Sequence, residues 1–311
     1  MRVTANTFPN SLVDQLNQLA LRQNRLQNQA TTGQRIQSPE DDPAAMRRVL
    51  DLQTESKSLD QYRNNMATLG DQANTSFVSI KALKRISDRA SEITVLADGT
   101  KSPGDLKVYS AQITQLIQEA VQLTNSRYRG DYLFGGTKSD QPPFVLTMNA
   151  SGQVTAVTYQ GNSSVAESEI APGVTLSAET PGANTSGSGP QGLITDSRTG
   201  ADLFNHLISL QNNLRAGNTA AISTTDHPQL ALDEENFIIH LSTNAAVQAR
   251  LEASATVAKT RGDSLEAFVS KEADADLAQT LVRLNETQNA YKVALQSGGS
   301  ILQLSLMDYL R

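Results

Sequence analysis

The chain has 311 residues, a formal net charge of −6, no cysteine, no tryptophan and only 5% aromatic residues. Lack of cysteine excludes disulfides, thiol catalysis and thiolate metal sites, and interspersed acids and bases leave no basic footprint for nucleic acid. No apolar run is long enough to insert in a membrane, and Met1 to Asn10 lack the pattern of a conventional secretion signal.

Few bulky core residues beside abundant Gln, Asn, Ala, Ser and Thr favour slender helical layers over a thick globular centre. The first element carries leucines at alternating steps of four and three, Leu12, Leu16, Leu19 and Leu26, with Gln23 and Ala30 in weaker slots. That spacing predicts a helix with one narrow apolar stripe, the seam of a coiled coil, which cannot bury itself. Thr31-Thr32-Gly33 supplies a stop, and Ser38-Pro39-Glu40-Asp41-Asp42-Pro43 a fresh start in which Ser38 or Asp42 is the N-cap. From there to Asp98 no proline intervenes. Ala45, Val49, Leu52, Ser56, Leu59 and Met66, then Phe77, Ile80, Leu83, Ile86 and Ile93, keep one apolar face along a helix of roughly 80 Å, with Gly70 as a point of bending.

Gly99 to Gly104 reads as a turn, after which Leu106, Ile113, Leu116, Ile117, Ala120 and Leu123 mark a helix running back as an antiparallel hairpin. Between Gly130 and Gly200 the chain is rich in Gly, Pro, Ser and Thr, with alternating runs at Phe144 to Met148, Val154 to Tyr159 and Val174 to Leu176. This predicts a small β-rich insert whose tail, Thr180 to Gly192, is a mobile loop. Helical pattern returns with Leu203, Leu207, Leu210 and Leu214, breaks from Gly217 to Pro228, and resumes with Phe237, Leu241, Leu251, Ala255, Ala258 and Leu265. A register slip at Ala273 to Asp276 separates it from the last element.

There the four-three spacing reappears in Leu277, Leu281, Leu284, Tyr291 and Leu295, with Gln288 among them, and Ile301, Leu304 and Leu306 extend it past the breaker Gly298-Gly299. The simplest partner for the first helix is the last one. The fold class expected is therefore mainly α: an elongated antiparallel helical bundle or coiled coil formed by both chain ends, with a small inserted β-rich domain. The expected domains are 1–42 with 277–311 as a terminal coiled coil, 43–137 with 201–276 as a helical rod, and 138–200 as the insert. Narrow seams at both ends suit a polymer subunit better than an enzyme.

Several motifs imitate chemistry. Gly262-Asp263-Ser264-Leu265 spells the nucleophile block of a class of serine esterases, but it lies in a helical pattern and no histidine follows His240. Gly187 to Gly192 satisfies a dinucleotide fingerprint by letters, without the preceding strand. His206, His227 and His240 share no metal-type spacing and read as surface or interface residues. Arg129-Gly130-Asp131 and Arg261-Gly262-Asp263 copy an adhesion tripeptide, which needs display on a tight exposed loop. The pair Asp41 and Asp42 reads as a helix start, not as a general acid and base. No cofactor and no metal are expected.

Thr32-Gly33-Gln34-Arg35-Ile36 followed by Pro39 to Ala45 resembles the N-terminal signature of bacterial flagellins and their relatives, carried by Gly33, Arg35, Asp41, Asp42 and Pro43. Tyr132-Leu133-Phe134-Gly135-Gly136-Thr137, then Pro142-Pro143-Phe144, is similar to hook-associated members of that family, as is the ending Leu304 to Leu310; Tyr132, Phe134, Gly136 and Phe144 mark the second motif. The resemblance implies a structural protein without catalysis that forms the junction between hook and filament outside the cell. It would be exported unfolded by the flagellar type III apparatus with an export chaperone, and its neighbours would be other copies of itself, the first hook-associated protein and flagellin. Filament flagellin and a serine esterase are the alternatives. On this reading the seam residues are inter-subunit contacts, and in the free subunit residues 1–40 and 280–311 are disordered or partly helical.

Overall fold

The structure, a computed structural model, describes residues 7–309, with side chains described for 11–300. Helix α1 (Thr7–Thr32) ends at Gly33, whose φ of +73° costs glycine no steric strain and lets its N–H reach the Gln29 carbonyl at 2.9 Å. Helix α2 (Pro43–Leu96) starts on Asp42: its Oδ1 accepts the Ala45 N–H at 3.0 Å, so Asp42 and not Ser38 is the cap. All 54 residues of α2 are one helix, Gly70 included. A reciprocal pair of bonds between Ser102 and Asp105, with Pro103 at the first position, opens helix α3 (Pro103–Thr124).

The fold is mainly α, with long helices from both ends of the chain and a small β-rich region between them. Its contacts divide it into two units, residues 1–58 with 260–311 and residues 59–259. The second unit holds the larger core. Ile80, Leu83 and Ile93 of α2, Ile113 and Ile117 of α3, and Leu203, Leu207, Leu210 and Leu214 of helix α4 (Leu203–Ala216) meet there with Phe134, Leu193, Ile194 and Phe237. Each such side chain contributes roughly 1.5–3 kcal/mol by leaving water.

Among the described residues the strands form four small sheets. Strands β1 (Arg127–Tyr128) and β2 (Asp131–Tyr132) form a tight hairpin. Strands β3 (Phe144–Met148) and β4 (Val154–Tyr159) pair antiparallel from Phe144 with Tyr159 to Met148 with Val154. Strands β5 (Ser168–Ala171) and β6 (Val174–Leu176) form a hairpin whose Ile170 packs with Met66, Leu69, Ala73 and Leu251 in a second small core. In the three-stranded sheet, β8 (Thr195–Asp196) pairs parallel with β7 (Ala183–Asn184) and antiparallel with β9 (Ala201–Asp202). Fully buried Gln211 joins α4 to the open edge of β4, donating to the Val154 carbonyl at 3.0 Å while its Oε1 accepts the Thr114 hydroxyl at 2.7 Å.

Two expectations are corrected. The stretch 180–192 is not a mobile loop: the buried Asn184 side chain donates to the Ser188 and Pro190 carbonyls at 2.7 and 2.6 Å, and the Gly182 N–H reaches the Phe134 carbonyl at 2.8 Å. Side-chain-to-backbone bonds hold it, and these leave no hydrophobic trace in the sequence. The break from Gly217 to Pro228 is also narrower. Only Gly217, at φ +70°, and Asn218 interrupt the helix; α5 (Thr219–Ala221) then runs through a π turn (Ile222–Asp226) into α6 (His227–Ala273), with Pro228 in its first turn. A wider π turn accommodates a proline that lacks an N–H and crowds an ordinary α turn.

Candidate assembly surface

In the first unit α1 lies against α7 (Leu277–Tyr309), and two points fix an antiparallel register. At one end the Ala275 N–H reaches the Gly33 carbonyl at 2.8 Å; at the other, a Cβ on Gly298 would stand 2.5 Å from Leu12 Cδ2. Leu12, Leu16, Leu19 and Leu26 of α1 all turn away from solvent, as do Gln23 and Ala30. On α7 the covered residues are Thr280, Leu284, Thr287, Tyr291, Ala294 and Gly298, at steps of four and three, with Gln288 beside them.

The leucine series on α7 therefore divides. Leu284 and Tyr291 turn inward with Gln288, whereas Leu277, Leu281 and Leu295 remain 48%, 50% and 47% exposed. The register explains this outcome. Gly298 and Ala294 permit close backbone approach, and the buried Thr287 hydroxyl donates to the Arg283 carbonyl of its own helix at 2.7 Å, so small residues fill the seam that leucines were expected to fill. Gly298 is thus no helix breaker; it sits inside α7 where a side chain has no room. The legible signal was the spacing that begins at Thr280, which shares Leu284 and Tyr291 with the leucine series. Ile301, Leu304 and Leu306 fall on α7, but their side chains lie outside the described residues.

The first signature closes the wide end of this pair. Arg35 Nη2 donates to the Glu272 carbonyl at 2.7 Å, Arg35 Nη1 meets Asp42 Oδ2 at 3.3 Å, and the Arg35 N–H reaches the Ala273 carbonyl at 2.6 Å. Arg48 pairs with Glu272 at 2.8 Å. Asp41 accepts the N–H groups of Gln37 and Ser38 and pairs with Arg25 at 3.1 Å. These backbone donors hold the Asp41 carboxyl below its ordinary value; the Ala45 N–H and Arg35 do so for Asp42, and Arg48 does so for Glu272. Gly33, Arg35, Asp41, Asp42 and Pro43 therefore all serve one purpose. They set the geometry by which α1 passes into α2 and α6 into α7.

The second signature lies in the other unit. Phe134 is fully buried; its carbonyl accepts from Gly182 N–H at 2.8 Å and from the Tyr159 hydroxyl at 3.0 Å. Phe144 packs against Tyr159 and Phe204 with ring centroids 5.0 and 5.3 Å apart. Gly136, at φ +65°, leaves only 2.4 Å between a would-be Cβ and the Asn162 carbonyl. Tyr132 is buried beneath the Arg127 guanidinium, 4.1 Å from its ring centroid. All four are packing residues.

Ser264 sits inside α6 with its hydroxyl donated to the Thr260 carbonyl at 2.9 Å, and its unit contains no histidine. Of the histidines only His227 is exposed. His206 and His240 are buried, contrary to the expectation of surface positions, because each has a polar partner in the core. Arg129 and Gly130 form the exposed turn between β1 and β2, both at positive φ, with Asp131 opening β2; Arg261-Gly262-Asp263 is helical. Among the described residues no cluster is suited to a metal ion, and no helix is long and apolar enough to cross a membrane.

The family model of the bacterial flagellin N-terminal helical region matches residues 3–139. None of the curated proteins matches the chain. Solved structures do, at low identity. A Vibrio parahaemolyticus protein assigned as flagellar hook-associated is 19% identical with a TM-score of 0.64, covering 75% of this chain and 100% of its own. FlgL of Bacillus cereus is 16% identical, with a TM-score of 0.55 over 71% of this chain and 99% of its own. The flagellar junction protein FlgL of Legionella pneumophila is 16% identical, with a TM-score of 0.52 over 74% of this chain and 99% of its own. Residues 3–139 thus match the bacterial flagellin N-terminal helical region, in a chain that shares the fold of the FlgL hook-associated proteins.

Proposed function

We propose that this protein is a structural piece of the bacterial flagellum that joins hook to filament, and that it acts without catalysis. The observation that carries the reading is the row Leu277, Leu281 and Leu295, left exposed on one side of α7 in a fold shared with flagellar hook-associated proteins. Apolar surface of this kind marks an interaction site. Leu12, Leu16, Leu19, Leu26, Leu284 and Tyr291 shape the α1–α7 pair; Leu277, Leu281 and Leu295, continued in sequence by Ile301, Leu304 and Leu306, meet adjoining copies. A few leucines per subunit, each worth roughly 1.5–3 kcal/mol on burial, multiply around a ring into a polymer that an isolated subunit cannot start. The first hook-associated protein below and flagellin above are the neighbours, and the chain reaches them outside the cell by unfolded export, with its chaperone, through the type III apparatus. A chain without cysteine threads such a channel with no risk of disulfide formation.

Addition of purified chain to isolated hooks carrying the first hook-associated protein tests the reading. A thin zone that stops growing is expected, and Leu281→Glu combined with Leu295→Glu abolishes it while leaving helical content unchanged. Elongation into long filaments would favour filament flagellin instead. Undiminished addition by the double variant would contradict the role of the row.

A further inference from the structure

Asp233, Asn236, His240 and Asn244 recur at steps of three and four along α6, and all four are buried. Buried polar groups require partners, and three of these find theirs around the sheet β7–β9. Asp233 Oδ1 accepts the Asp202 N–H at 2.8 Å, and Asn236 Nδ2 donates to the carbonyls of Gly192 and Leu193 at 3.0 and 2.8 Å. His240 Nε2 lies 3.0 Å from the Gly192 carbonyl and must be the donor, since a carbonyl only accepts. Asp233 Oδ2 is 2.7 Å from His206 Nδ1 on α4. Asp233, Asn236 and His240 thus hold the sheet and the strand leading into it against α6, and Asp233 is shared with His206 of α4.

The groups facing His206 are Asp233 from α6, Asp202 from the end of β9 and Asp226 from the π turn. Burial draws His206 down, but the Asp233 carboxylate, reinforced by Asp202 and Asp226, outweighs burial and holds it above its ordinary value. His240 faces the ion pair of Asp196 and Arg198, whose atoms are 2.6 Å apart. Burial, with Arg198, holds His240 below its ordinary value despite the Gly192 bond and Asp196. Burial also pushes the Asp233 carboxyl up, against the His206 bond that draws it down.

We propose that α6 carries a two-sided, proton-operated clasp for the sheet β7–β9, closed while His206 is protonated and His240 is neutral. For His206, the stabilisation is complete below the unfolded value of about 6.5 and is lost as pH rises through the higher folded value. For His240 the sign reverses: the stabilisation is present above about 6.5 and is lost as pH falls through the lower folded value. Alkali opens the clasp through one histidine and acid through the other. Asp196, held down to about 2, stays charged throughout the interval in which the histidines titrate.

Hydrogen-exchange protection factors of the amides from Gly192 to Leu203, measured in the full chain from about pH 5 to about pH 9 and corrected for intrinsic exchange, test this. In the parent they fall on both sides of neutrality, by about tenfold per unit of displacement in each histidine. His206→Gln removes only the alkaline fall and His240→Gln only the acid fall. A flat parent profile, or the parent profile unchanged in both variants, would overturn the clasp. Should either variant fail to fold, ring titration of the parent by nuclear magnetic resonance decides: His206 inflects above about 6.5 and His240 below it, whereas a common inflection at the unperturbed value would overturn the proposal.

Discussion

Among the left-handed glycines of the described residues, Gly136 has the tightest backbone approach. Its φ of +65° is left-handed, and the Asn162 carbonyl stands 2.4 Å from the place a Cβ would take. Gly152 shares the conformation, at φ +74°, but has nothing within 4 Å of that place. A left-handed non-glycine residue costs about 1–2 kcal/mol, so Gly152→Ala shows that cost alone, while Gly136→Ala adds a clash with backbone that cannot rotate away. Thermal unfolding followed by circular dichroism should show Gly136→Ala lowering the melting temperature by at least about 4 °C more than Gly152→Ala, as an extra ~2 kcal/mol does in a unit of this size. Equal effects would show that the Asn162 segment yields freely. At this scale the motifs were legible and their uses were not. Gly33, Asp42 and Pro43 announced a helix stop and start through their own chemistry, whereas Arg35 reaches the Glu272 carbonyl 237 residues away, which no local pattern encodes.

The pairing of α1 with α7 was legible from two narrow stripes with no other partner, and α3 from its cap and its periodicity. Strands β3, β4 and β6 followed from alternation, but β7, β8 and β9 are two residues each and have no period to read. The inward face of α7 is spaced as regularly as the leucine series, but Thr280, Thr287 and Gly298 lack the apolar side chains that mark a seam, so the leucines drew the reading to the neighbouring face. Gln23 and Thr287 are weak seam residues. The account therefore expects α1 and α7 to be only thinly protected from hydrogen exchange in the free subunit, over residues 11–32 and 277–300, and to gain protection on assembly. Gln23→Leu combined with Thr287→Leu should raise protection in the free subunit, by about tenfold for each ~1.4 kcal/mol of added burial. Strong protection in the parent monomer would mean that the pair is already complete without neighbours.

A chain with few aromatic residues and long thin helices covers only part of its apolar surface with itself, and leaves Leu277, Leu281 and Leu295 open on α7, the helix that returns against α1. The proposed role has adjoining copies cover that surface and so complete the α1–α7 pair. Electron microscopy of cells lacking this chain tests that role most directly. The account predicts hooks without filaments, with filament protein shed into the medium as monomers; filaments of normal length on those cells would contradict it.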